Sequence, residues 1–161
     1  MAQMTDPHDG LVSLQSALKL GFIQLSKCNV HKDLKCVYDT PNDSPRYTFA
    51  MLDRDNVVKA TALFVLLDSY GDGPCFSVGY AVAEPFRGQG VAYEILEKSL
   101  DEFIAFMKGR APRMYIETMV SVDNIASQKV SSRFISDAPS ETTDELSGLP
   151  ALHYQRIVEL S

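Results

Sequence analysis

Residues 79–92, reading GYAVAEPFRGQGVA, are the stretch best suited to chemistry. An apolar, β-branched run over 78–82 stops at Glu84 and Pro85, a basic glycine-rich turn follows, and an amphipathic stretch begins at Gly90. A strand that feeds a glycine turn at a helix start makes an anion cradle. Main-chain N–H groups point outward, the helix dipole adds roughly half a positive charge, and glycine lets a phosphate approach the backbone. The expected occupant is the pyrophosphate of a nucleotide-bearing cofactor. The plainer alternative is a turn that only ends a strand and starts a helix.

Spacing narrows the cofactor. A nucleotide-hydrolase loop needs Gly-x-x-x-x-Gly-Lys-Ser/Thr, and no lysine follows Gly90. A dinucleotide fold needs Gly-x-Gly-x-x-Gly, and Tyr93 stands where the third glycine would be. What remains, Arg87-x-x-Gly90-x-Ala92, resembles the Arg/Gln-x-x-Gly-x-Gly/Ala signature of the GNAT superfamily of acetyl-CoA-dependent N-acetyltransferases. Residues 78–82 resemble that family's fourth strand and 115–120 its fifth. Residues 123–127 (Asp-Asn-Ile-Ala-Ser) resemble the start of its fourth helix, especially in the ribosomal-protein N-terminal acetyltransferase branch. The resemblance covers residues 57–135, with a weaker match at the C-terminal strand.

The resemblance implies a reaction and roles. Acetyl would pass from acetyl-CoA directly to a primary amine, through a tetrahedral intermediate, with no metal. Val82 and neighbouring backbone groups would align the pantetheine arm between splayed strands and polarise the carbonyl. Backbone amides of Arg87, Gly88, Gln89, Gly90, Val91 and Ala92 would hold the pyrophosphate. An amine of pKa about 10.4 leaves only ~1 molecule in 1000 nucleophilic at pH 7, so a base is required. Glu117 is the first candidate and its alternative is a solvent-side strand glutamate; Glu84 and His153 are weaker candidates. Many relatives protonate the leaving thiolate with a helix tyrosine seven residues after the asparagine, and Ser131 stands there instead. The ribosomal-protein branch uses a serine that maps onto Ser127, with Asn124 binding the pantetheine arm or a water. The alternative for Ser127 is a first-turn serine without catalytic part. Cys75 lacks an evident partner base, which argues against an acyl-enzyme. The acceptor is a small-molecule amine or a protein N-terminus, and the acidic run Asp137, Glu141, Asp144 and Glu145 could draw in a cation. A non-catalytic acyl-CoA-binding sensor of the same fold is the competing reading. Homodimers are common in the family, and nothing in the sequence fixes one here.

These groups need a scaffold. Apolar residues at 11, 14, 18, 22 and 25 predict a helix over 11–28, weakened by Gly21. Residues 29–45 read as mixed, ending in a turn. Strands are predicted over 46–52, 57–67 and 75–82, joined by loops at 53–56 and 68–74 into an antiparallel meander. Apolar positions 91, 95, 96, 100, 103, 104 and 107 predict a helix over 90–108, closed by Gly109 and Pro112. A strand over 114–120, parallel to the earlier one, precedes a helix over 124–134 with Asp123 as N-cap. A polar loop and a strand over 152–159 complete the chain. The expected fold is α/β: one GNAT-like domain over 1–161, with a meander, splayed parallel strands and flanking helices.

Composition excludes several classes. A chain of 161 residues with 45% hydrophobic and 22% charged residues can bury a core without disulfides or metal. The net charge of −6 and the lack of a Lys/Arg cluster argue against nucleic acid. No apolar run reaches the roughly 18 residues of a membrane span. Asp6, Pro7, His8 and Asp9 do not form an export signal, and Cys28, Cys36 and Cys75 read as reduced thiols of a cytoplasmic protein.

Overall fold

The computed structural model describes residues 7–161; the reading of Asp6 falls outside the described residues. In chain order the elements are α1 (Pro7–Lys19), β1 (Ser26–Lys27), β2 (Leu34–Asp39), β3 (Arg46–Leu52), β4 (Val58–Tyr70), β5 (Gly73–Val82), α2 (Val91–Met107), β6 (Arg113–Ser121), α3 (Ile125–Phe134), β7 (Ser140–Thr143) and β8 (Pro150–Glu159). The strands form one mixed sheet in the order β1-β2-β3-β4-β5-β6-β8-β7. All neighbours are antiparallel except β5 and β6, which run parallel with α2 as their crossover.

The two faces follow from strand alternation. Phe49, Met51, Phe64, Phe76, Val78, Met114 and Ile116 face α2, which buries Val91, Ile95, Leu96, Leu100, Phe103 and Met107 against them. Phe103 stacks on Phe64 at 4.4 Å between ring centroids and anchors this core. On the opposite face, Ala50, Val58 and Ala81 meet Leu11 and Leu14 of α1. The predicted stripe of α2 thus packs as its period demands, with the half-buried Ile104 at its margin.

The departures are local. The first helix ends at Lys19, not residue 28. Gly21 takes a positive φ of 71°, and Gly21 N and Phe22 N close back on Leu18 and Ala17 carbonyls. Phe22 is consequently left exposed. The mixed segment 29–45 contains β2, and the polar loop before the last strand contains β7, whose residues are all exposed. The loop at 68–74 shrinks to a tight turn, because β4 and β5 stay paired out to Tyr70 and Gly73. Asn124, not Asp123, caps α3.

The parallel contact controls the architecture. β5 pairs with β6 at Cys75–Tyr115, Phe76–Ile116 and Ser77–Glu117 only. Beyond it, β5 remains paired with β4 out to Val82, and β6 with β8 out to Ser121. The two strands therefore fork over 78–82 and 118–121, as expected of the splayed pair. Below the fork Gly73 passes so close to β6 that a Cβ built on it would lie 2.1 Å from the Arg113 carbonyl oxygen. Because that neighbour is backbone in a paired strand, Gly73→Ala should lower stability by about 1–3 kcal/mol. Urea unfolding checks this, and an unchanged midpoint would show that the junction yields.

Candidate active site at the forked strands

The fork encloses a cavity of about 660 Å³. Its walls include Ser77, Val78, Gly79 and Tyr80 of β5, Thr118 to Ser121 of β6, and Asn124 and Ser127 at the start of α3. Pro7 of α1 and Asp144 with Leu146 from the β7–β8 loop also line it. The facing edges of β5 and β6 carry main-chain groups without a strand partner, which a ligand or water must satisfy.

Beside the fork lies the glycine turn. Gly88 (φ 75°) and Gly90 (φ 76°) both adopt left-handed backbone, Gly90 as the N-cap of α2 with no side chain capping it. The first intrahelical bond runs from Glu94 N to Gly90 O, which leaves the earlier N–H groups of the helix without an intrahelical partner. Residues 87–90 are exposed, and a Cβ on Gly88 or Gly90 would meet nothing within 4 Å. Glycine is needed here for its backbone conformation rather than for clearance. Ala92 is half-buried against the main core. Side chains brace the turn: Arg87 Nε donates to Val82 O (3.0 Å), and Gln89 Nε2 donates to Pro85 O (3.2 Å). The Arg87 guanidinium also lies 3.4 Å from His8 Nδ1.

At the head of α3, Asn124 Oδ1 accepts the Ser127 N–H (3.1 Å), so Asn124 shapes the helix start that presents Ser127. Ser127 Oγ lies 2.8 Å from Tyr80 Oη across the cavity. Burial raises the Tyr80 phenol, with the Ser127 bond acting the other way. Sequence reasoning assigned Tyr80 no role, because the partners lie 47 positions apart. Ser131, where many relatives carry tyrosine, is buried in α3 and does not line the cavity.

Glu117 occupies the last parallel pair, opposite Ser77, on the α1 face of the sheet. It sits at the closed end of the fork and does not line the cavity wall, although Ser77 and Thr118 beside it do. Its Oε2 lies 2.7 Å from His153 Nε2 of β8, and Gln155 Nε2 donates to the same oxygen at 3.5 Å. A carboxylate oxygen accepts, so this contact is served by the ring form that carries a proton on Nε2. The structure thus joins two candidates the sequence treated separately. Glu84 lies apart, in the exposed 3-10 turn before Arg87. Cys75 is buried, its thiol pushed up first by burial and then by Glu117. Of the four acidic residues in the 137–145 segment only Asp144 lines the cavity, and it is tied down by accepting the Ser147 N–H (2.9 Å).

The family model for an acetyltransferase (GNAT) domain matches residues 16–134. The chain belongs to the GNAT acetyltransferase family. Solved structures of the fold include the ribosomal-protein-S5-alanine acetyltransferase of Vibrio fischeri, with 14% identity, a TM-score of 0.56, and coverage of 70% of this chain and 62% of that one. The ribosomal L7/L12 α-N-protein acetyltransferase RimL, in complex with coenzyme A, has 21% identity, a TM-score of 0.50, and coverage of 73% and 64%. Spermidine N-acetyltransferase from Vibrio cholerae, in complex with CoA and spermine, has 12% identity, a TM-score of 0.53, and coverage of 70% and 66%. This GNAT chain therefore spans under two thirds of the length of the two ribosomal-protein relatives. No curated protein matches it.

Asn124→Ala should lower stability by about 1 kcal/mol through loss of the cap, while Asn124→Asp should retain it. Chemical denaturation of both variants checks this; equal loss in the two would mean the side chain acts otherwise.

Proposed function

We propose that the chain is an acetyl-CoA-dependent N-acetyltransferase acting directly on a primary amine, either a small molecule or a protein N-terminus. The observation that carries the reading is the fork: β5 and β6 separate after Ser77 and Glu117, beside an open helix N-terminus. A pantetheine arm needs a slot with unpaired backbone groups, and a pyrophosphate needs outward N–H donors. Both are present side by side. The relatives solved with CoA, and with spermine as well, support the same cosubstrate and an amine acceptor.

The residues divide the work. N–H groups from Gly88 to Ala92 hold phosphate; the Arg87 N–H, expected to join them, is already donated to Glu84 O (3.2 Å) within the preceding 3-10 turn. Edge groups of β5 near Val82 align the arm, with the Val82 carbonyl already accepting from Arg87. The Glu117–His153 pair receives the amine proton, directly or through water, and Glu117 orients the ring. Ser127 faces the departing sulfur. The buried Ser131, in place of a helix tyrosine, favours the second reading, a domain that binds acyl-CoA without turnover.

Thiol release from acetyl-CoA with a panel of amines and peptides separates the two. Steady release is expected, and binding without release would favour the sensor. Gly90→Val should weaken CoA affinity about tenfold or more, since a β-branched residue resists this φ; calorimetry giving wild-type affinity would remove the turn from the site. Glu117→Gln should slow turnover about 100-fold with little change in KM for acetyl-CoA. An unimpaired rate would exclude Glu117.

A further inference from the structure

We propose that Tyr80 is a positioning residue for the departing sulfur, holding Ser127 so that one hydroxyl proton of the pair points into the fork. The inference rests on the transferase reading and names the group that stands in for the absent helix tyrosine.

Proton counting carries the argument. Tyr80 and Ser127 each bring one O–H, and the 2.8 Å bond between them uses one of the two protons. Neither hydroxyl makes a second hydrogen bond among the described residues. Whichever group donates, one proton is left over, and both oxygens belong to residues that line the cavity. The direction is also constrained from the helix side: Ser127 N–H is fixed on Asn124 Oδ1, so the serine enters the fork from a capped first turn. From the strand side, Tyr80 points to the α2 face, where it packs against the main core. Burial keeps the phenol in its protonated, donating form.

The chemistry needs no change in tyrosine charge. When the carbon–sulfur bond breaks, its electron pair moves to sulfur. The spare O–H stabilises that charge as a hydrogen bond, and solvent water then supplies the thiol proton, offsetting the one released by the amine. A donor of this kind prefers thiolate over thiol, so it lowers the pKa of bound CoA below its free value. Binding must then release a proton, and affinity must rise with pH up to the free thiol pKa.

The test is calorimetric titration of the full chain with CoA and with desulfo-CoA, which lacks the sulfur, from pH 7 to about 9.5. The CoA to desulfo-CoA affinity ratio of the wild type should rise by about tenfold across this range, the worth of one hydrogen bond to a charged group. Tyr80→Phe and Ser127→Ala should both flatten that rise, and kcat for acetyl-CoA should fall with KM nearly unchanged. A ratio in Tyr80→Phe that rises as in the wild type overturns the proposal. A flat wild-type ratio overturns it too while leaving the transferase reading intact, and failure to bind either ligand overturns both. If Tyr80→Phe does not fold, the same titration of Ser127→Ala, altered on the first turn of α3, decides the outcome.

Discussion

Three parallel register pairs hold the two halves of this sheet together, and the rest of the molecule depends on how few they are. Each strand of the junction is committed along its full length to an antiparallel partner, β5 to β4 and β6 to β8. Right-handed twist accumulates separately in the two halves, so the strands diverge once their short ladder ends. Unpaired main-chain groups in a protein interior are costly, and the fork places a row of them along a cavity. Water, or an extended chain with its own donors and acceptors, can offset that cost.

Packing holds the junction in place. On one face α2 packs over the first half, with Phe103 at the centre of an aromatic cluster that reaches Phe49, Phe64 and Phe76, and the same apolar core continues to Met114 and Ile116 of β6. The carboxylate of Glu102, on the same helix, is buried and accepts backbone N–H groups of Asn29, Val30 and His31. This fixes the approach to β2 and satisfies the charge without a cation. Below the fork, Gly73 admits the close passage of β5 past Arg113. The junction thereby carries one hydrogen-bonded pair on each face: Glu117–His153 on the α1 face and Tyr80–Ser127 on the α2 face.

The parts legible in the sequence were those with a local signal. The stripe of α2 repeats with helical period over many residues, and the glycine turn is a contiguous motif. The meander and crossover follow from alternation and handedness. Elements with no such signal escaped: β7 is wholly exposed and polar, and β2 buries fully only Leu34. The end of α1 was overrun because Phe22 and Leu25 keep the helical spacing beyond Gly21. Asp123 and Asn124 are both good caps by type, and only geometry chooses between them. The pairs at the site were hidden for a different reason. Glu117 and His153 are 36 positions apart, and their meeting depends on the β6–β8 register, which no local pattern encodes.

The bracing of the glycine turn has a consequence for how the site withstands change. Arg87 and Gln89 direct their side chains to carbonyl oxygens, so the positive end offered to an anion is assembled from peptide dipoles. Peptide dipoles do not titrate, and they are present whatever side chain is attached. An anion grip of this kind is indifferent to acidity over the range where histidines and carboxylates switch. Its weak points are the left-handed torsion angles of Gly88 and Gly90 and the buried Val91 that anchors the helix start.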